Sequence, residues 1–500
     1  MIGFWQTTQA YAAYAAQWCD WSLSSQKTIP FRAPQGFQHH VFKAKHPQRH
    51  GPIRRPPRNS QPTINARGKL QLICLDLSTP SPYFGPVDIV NSPCGTILVT
   101  NSFTSENCVV LINLRGIAWN HTRGYVSMCA TAQRFEELNP GVSISWEKRS
   151  LQAFADAPIS ALAQEYDLVL MDHPHTALAA TEELLLPYED WLPEEFLADQ
   201  AANSVGVSHA SYRFAGRQWT LAIDAAAPIS TWRPDLMEQY QLTHPKTWEE
   251  VLDLARRGFV SVSAFPVDVL MHTYMISACL YPDLWTSTHE VAPNAVLAQA
   301  LTELRRLVDF CDPECLVRNP IRTAEWMSQS SEPRAAYCPF AFGYSNYSRP
   351  NYAKHLLISG GLVTFNGHQL CSTLGGAGLS ISARTEYPRA CMDYAQFTAS
   401  VDVQMGVYFQ SGGQPGHRRA WTDNGINLSS SNFFINTLPT LDAALMRPQF
   451  PGYMNFQDTA TSIAYACIAG ESSPAEAACE LNRLYRQSLT SISTSVASLE

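Results

Sequence analysis

An α/β fold is predicted for the larger part of this 500-residue chain. Three observations predict it. Residues 114–171 alternate short apolar runs with helix-periodic stretches, residues 247–330 keep helical apolar spacing, and strand-like runs return at 337–347 and 372–382. The first pattern gives a parallel sheet with helices on its faces; a helical block followed by returning strands gives a second compact lobe.

Taken in order, residues 114–119 read as a buried strand and 125–138 as a helix with Cys129, Ala132, Phe135 and Leu138 on one face. Asn139-Pro140-Gly141 is a turn, after which Val142, Ile144 and Trp146 alternate as in a strand. Residues 158–164 suit a short helix, 167–171 a third strand, and 219–227 a strand with a crossover. Helical spacing marks 247–257, 268–280, 292–311 and 323–330. The first of these has an explicit start: Thr247 can cap it, and Glu250 can reach back to complete a capping box. Residues 387–401 and 403–409 read as helical and 410–417 as an exposed loop. Residues 456–469 and 477–489 form a closing helix pair, with Gly470 as a stop and Ser473-Pro474-Ala475-Glu476 as a fresh start.

Charge divides the chain into a head and a body. Residues 1–112 carry a net charge of +6 and the remainder −14, so nucleic acid is not expected as the partner of the main domain. Residues 27–69 contain no acidic side chain and are rich in Pro, Arg and His, so 1–69 is expected to be disordered. That head reads either as a targeting or nucleic-acid-binding arm or as a mere extension. Residues 70–112 hold short strand-like runs without a clear place, 113–490 form the main domain, and 491–500 a flexible tail. Thirteen cysteines form no dense framework, and an odd number cannot all pair within the chain, which favours a reduced, intracellular protein. The one close pair, Cys311 and Cys315, has no second pair at zinc spacing. No apolar run is long enough to span a membrane, and the first 25 residues lack the basic start of a secretory signal.

Candidate binding residues cluster at predicted strand ends, where ligands of open parallel sheets sit. The first strand runs into Trp119, Asn120, His121 and Arg123; the second into Trp146, Glu147, Lys148 and Arg149; the third into Asp172, His173 and His175. Each has a plain alternative, since single basic residues are usually solvated and His173-Pro174-His175 lacks further metal ligands. Asp224 and Trp232 flank the crossover. Tyr337, Phe342 and Tyr344 belong to an aromatic run that reads as a buried strand or as a wall that stacks on a ligand. Gly376 lies in a glycine-rich strand that permits close backbone approach, and Gln414 lies in the polar loop. No Gly-x-Ser-x-Gly elbow, P-loop or dinucleotide fingerprint is present, so no cofactor is expected.

Several phrases resemble family-1 extracellular solute-binding proteins, the ligand receptors of ABC importers. They are Leu114-Arg115-Gly116-Ile117-Ala118-Trp119-Asn120-His121, Pro245-Lys246-Thr247-Trp248-Glu249-Glu250, the strand at 374–382, and the Gly470-to-Ala477 link between the last helices. The resemblance implies a two-lobed, periplasmic-binding-protein-like fold with a hinge and an inter-lobe ligand cleft. Lobe 1 would hold about 114–224 and 374–420, lobe 2 about 228–372 and 430–490. It implies non-catalytic capture of a small polar solute, a carbohydrate or an organic anion, and an ABC-transporter permease as partner. The family is extracytoplasmic, whereas this chain shows no signal peptide, and Asn120-His121-Thr122 is a glycosylation sequon near the expected cleft. An intracellular ligand sensor, or an enzyme using Asp172 and His173 on the same fold, are the alternatives.

Overall fold

The computed structural model describes residues 111–287 and 289–497; the basic head and nearly all of the strand-like extension lie outside the described residues. Strand β1 (Ile112–Trp119) leads to helix α1 (Ser127–Leu138) and then β2 (Val142–Arg149). Register is set early by a small residue: Gly116 lies opposite Trp146, and a Cβ there would stand 2.7 Å from the indole ring. Trp146 therefore lies flat on β1 and is buried. After two short helices, Leu151–Asp156 and Ile159–Glu165, the fully buried β3 (Leu168–Met171) completes the parallel trio.

Beyond β3 the sheet changes direction. Strand β4 (Leu221–Ala226) is its far edge, and the chain leaves at Ala227 to enter β5 (Pro228–Trp232) of a second sheet. The helices that follow include α2 (Trp248–Arg256), α3 (Pro266–Leu280) and α4 (Asn294–Val308). Strands β6 (Tyr337–Phe342) and β7 (Ile358–Gly360) flank β5 antiparallel to it. The chain then returns as β8 (Gly375–Ile381), which inserts antiparallel between β3 and β4. The first sheet is thus ordered β2-β1-β3-β8-β4. The parallel sheet expected from sequence is a mixed one, because a strand that begins 204 positions after the end of β3 takes the place beside it; the periodicity of the first segment carries no information about that return.

Each lobe has its own core. Around the first sheet, Leu114, Phe135, Leu168 and Leu379 pack with helix α5 (Pro388–Ala399). In the second, α2, α3 and α4 pack with α6 (Tyr453–Ile468) and α7 (Pro474–Ala497) through Leu252, Met275, Leu304, Phe456 and Leu481. Residues 491–497, expected as a flexible tail, continue α7. Three crossings link the lobes: Ala227, the segment before β8, and the segment after the unpredicted helix Phe433–Asp442. The second and third are tied together by Leu374 N–H to Leu445 O and Leu445 N–H to Ser372 O, each 2.7 Å. Gly376 begins the return at φ +117°, and a Cβ there would meet the Asp224 carbonyl oxygen at 2.4 Å, so only glycine fits.

The sequence-level helix start is present in full. Thr247 Oγ1 accepts from Glu250 N–H at 3.3 Å, and Glu250 Oε2 accepts from Thr247 N–H at 3.3 Å and from Lys246 N–H at 2.6 Å. Thr247→Ala should therefore lower stability by about 1 kcal/mol, read as a shifted urea midpoint at unchanged slope.

Candidate functional site

A cavity of about 510 Å³ lies between the lobes, where the ends of β1, β3 and β6 meet the starts of β8 and α3 and the middle of α6. Its size suits a small molecule. From the first lobe it receives Trp119, Phe154, Arg123 and Asp172; Phe265, Phe342 and Tyr344 supply aromatic surface from the other side.

Two ion pairs brace it, Arg123–Asp224 fully buried and Arg447–Asp172 with its carboxylate 20% exposed. Arg123 makes a bidentate pair with Asp224, with Nε to Oδ2 at 2.7 Å and Nη2 to Oδ1, while its Nη1 donates to the Gly343 carbonyl at 2.8 Å. Burial works against the guanidinium charge, but the Asp224 carboxylate overrides it and raises the Arg123 pKa. The Arg123 guanidinium also lies 4.7 Å from the Tyr344 ring centre and 5.7 Å from that of Trp119. Across the cavity, Arg447 Nη2 donates to Asp172 Oδ2 at 2.6 Å and its Nη1 to Gln457 Oε1 at 3.0 Å. Asp172 Oδ1 accepts from the backbone N–H of His173 at 2.8 Å and lies 3.1 Å from His173 Nδ1. Burial pushes the Asp172 carboxyl up, yet Arg447 and His173 together hold it below the usual range. Burial and Arg447 push His173 down to about 4, so its ring is neutral near pH 7. Both Asp172 carboxylate oxygens are engaged, by Arg447 and by His173, so the carboxylate serves as a brace, while His173 Nε2 is buried without a hydrogen-bond partner.

The structure separates the fifteen sequence candidates. Trp119, Arg123, Asp172, Phe342, Tyr344 and Gly376 line the cavity, and Asp224 and His173 stand behind them as partners. The other seven do not line it. Trp146 is core, packed on Gly116 and 6.3 Å from the Tyr394 ring. Lys148 is exposed over Tyr125: it shares the face of β2 that carries Ile144 and Trp146, but stands near the strand's end, where that face is no longer covered. Arg149 bonds backbone carbonyls, Leu170 O at 2.9 Å and Ala153 O at 3.2 Å, and stacks on Phe154. His121 caps its own turn, accepting from Arg123 N–H at 3.0 Å, and burial with the nearby Arg123 holds it down to about 3. Trp232 packs against His244, Tyr337 is buried in the second core, and Gln414 braces the crossing by bonding Ala225 O and Ser345 N–H.

Other lining residues carried a signal that was not read. Gln457, Asp458, Thr461 and Ser462 form a polar stripe at helical spacing on α6, an otherwise largely apolar helix. Asp268, in the first turn of α3, Asn319 and Gln152 add further polar groups. Arg447 had no local signal at all. Among the described residues, no three His, Cys, Asp or Glu side chains stand together as metal ligands, and no helix is long and apolar enough to cross a membrane.

Residues 118–258 match the family model described as bacterial extracellular solute-binding protein. Solved structures of similar fold include maltose-bound T. maritima MalE3, at 16% identity and TM-score 0.63 over 76% of this chain and 100% of that one. An ABC-transporter solute-binding protein from Agrobacterium radiobacter K84 in complex with ribitol matches at 18% identity and TM-score 0.64, over 75% of this chain and 98% of that one. Another, from Thermotoga lettingae TMO bound with α-D-tagatose, matches at 18% identity and TM-score 0.64, over 76% and 100%. At these identities the likeness is one of fold.

Proposed function

From the premise that this chain shares the matched segment and the two-lobed fold of extracellular solute-binding proteins, we propose that it captures a polyhydroxy solute, a sugar or polyol, in the inter-lobe cavity without transforming it. One observation favours this over the organic-anion alternative: both arginines that reach the cavity are already neutralised, Arg123 by Asp224 and Arg447 by Asp172. An anion would have to displace a buried carboxylate from its cation, at several kcal/mol by the usual cost of breaking such a pair, about 3–5 kcal/mol. What remains on the walls is aromatic surface for the apolar faces of a sugar ring, with amide, hydroxyl and carboxyl groups for its hydroxyls. The relatives of similar fold hold maltose, ribitol and tagatose, which supports the same reading. Delivery to an ABC-transporter permease is the corresponding role.

A thermal-shift screen of the full chain against sugars, polyols and organic acids tests this, since a ligand that favours the native state raises its melting temperature. Neutral sugars or polyols should give the largest shifts. A larger shift with citrate, succinate or phosphate would sink the reading. The electrostatics also set an expectation for Arg149: Arg149→Ala should lower stability by about 1–3 kcal/mol through its lost carbonyl bonds while changing ligand affinity less than about twofold. Calorimetry beside a denaturant melt separates the two effects.

A further inference from the structure

The carboxylates around the cavity are not balanced by cations. Asp224 has Arg123 and Asp172 has Arg447, but Asp268, whose residue is 1% exposed, has no cation beside it among the described residues. Its one hydrogen bond with a side chain is with Ser263, whose Oγ lies 2.8 Å from Asp268 Oδ2. That same Oγ lies 3.0 Å from the Arg318 carbonyl oxygen, and a hydroxyl has one proton to give. An ionised Asp268 must therefore compete with the Arg318 carbonyl for it. A protonated Asp268 can donate to Ser263, leaving Ser263 free to donate onward.

The surrounding groups offer no other counter-charge. The Arg318 guanidinium is bound to Asp312 at 2.5 Å and lies over Trp326. Tyr344 and Cys338 both feel the Asp268 charge and are neutral, because burial pushes the Tyr344 hydroxyl up and the Cys338 thiol up to about 12. His272, one turn along α3, is buried with both ring nitrogens unbonded, and burial holds it down to about 3. The first turn of α3 gives the carboxylate partial support, yet burial still pushes Asp268 up to about 7. A buried carboxyl that lines a ligand cavity is stabilised in its charged form by a cationic group on the ligand.

We infer that the solute of this cavity carries a basic nitrogen, as in an amino sugar or amino polyol, and that Asp268 is the residue that selects it. The inference rests on reading the cavity as a polyhydroxy-solute site and adds a charge requirement to it. Among the described residues, Asp268 is the buried cavity carboxyl with no arginine beside it, and an ammonium group would meet its ionised form without disturbing either ion pair. Asp458, exposed at the cavity, adds a further acidic group on the same side.

The test is calorimetry of the full chain with matched neutral and amino probes: glucose and glucosamine, sorbitol and 1-amino-1-deoxysorbitol, cellobiose and the glucosamine disaccharide. The amino member of at least one pair should bind about tenfold or more tightly than its neutral partner, and Asp268→Asn should shrink that gap to within about threefold. The wild-type comparison stands even if the variant folds poorly. Neutral members binding as tightly as their amino partners would overturn the inference and leave the polyhydroxy reading intact. An amino preference that survives in a folded Asp268→Asn protein would overturn the assignment to Asp268. Absence of binding by every probe would count against the polyhydroxy reading itself, and the inference would go with it.

Discussion

Arg123→Met is expected to destabilise the folded protein by about 3–5 kcal/mol, the largest single effect of any change at the site. The reason is what it leaves behind. Asp224 is 1% exposed and takes both of its strong hydrogen bonds from Arg123, so methionine strands a carboxylate in the interior with only a backbone contact. Arg123 also carries one of the bonds between lobes, to the Gly343 carbonyl, so that contact is lost as well. The deficit should depend on pH with a definite sign. Stripped of its cation, Asp224 has a raised folded-state pKa; it escapes much of the penalty when protonated, and the stability this gives is lost as pH rises through that value. The urea midpoint of the variant should therefore fall further below wild type at about pH 8 than at about pH 5. A deficit below about 1 kcal/mol at both pH values would mean that Asp224 is neutral already in the wild type.

The second large effect concerns ligand. Phe342 ends β6 half-buried, its ring lying so close to Gly375 that a Cβ there would come within 2.5 Å of it, and it forms part of the cavity wall. Phe342→Ala removes one of the aromatic faces that line the cavity with Trp119, Phe154, Phe265 and Tyr344. Loss of that contact is worth about 1.5–3 kcal/mol, or roughly ten- to a hundredfold in affinity. Its effect on stability should be smaller, because the ring is not enclosed by the core. Calorimetry with the tightest-binding polyol of the screen, alongside a melt, checks both parts. Unchanged affinity would remove Phe342 from the binding wall and shift the weight to Trp119 and Tyr344.

Much of the fold was readable because its signals are local. The α2 start depends on residues three apart, Thr247 and Glu250, and the closing helix pair on Gly470 and the Ser473–Glu476 cap, where Ser473 Oγ accepts from Glu476 N–H at 3.2 Å and Glu476 Oε2 from Ser473 N–H at 3.0 Å. The strand ends of β1 and β3 also delivered Trp119, Arg123 and Asp172 to the cavity, as the geometry of parallel sheets requires. The same rule over-reached at β2, an edge strand whose end carries Lys148 to solvent and Arg149 onto carbonyls. Aromatic composition did not separate Tyr337 in the core from Phe342 at the cavity, since the two lie on one strand and differ only in what covers them.

The sequence by itself determined many of the secondary elements, the two-lobed α/β class by resemblance, and the polar and aromatic stock from which a site is made. Helix and strand periods, caps and turns are properties of neighbouring residues, so a linear reading reaches them. Only the tertiary structure decided the charge of the cavity. Arg123 meets Asp224 from 101 positions away and Arg447 meets Asp172 from 275, pairings that no local pattern encodes. They neutralised both arginines at the cavity, Arg123 from the strand-end candidates and Arg447 from outside them, and left Asp268 as a buried carboxyl with no cation beside it among the described residues. The physical reason is that a charge in the interior is defined by its partner, and partners are chosen by the fold.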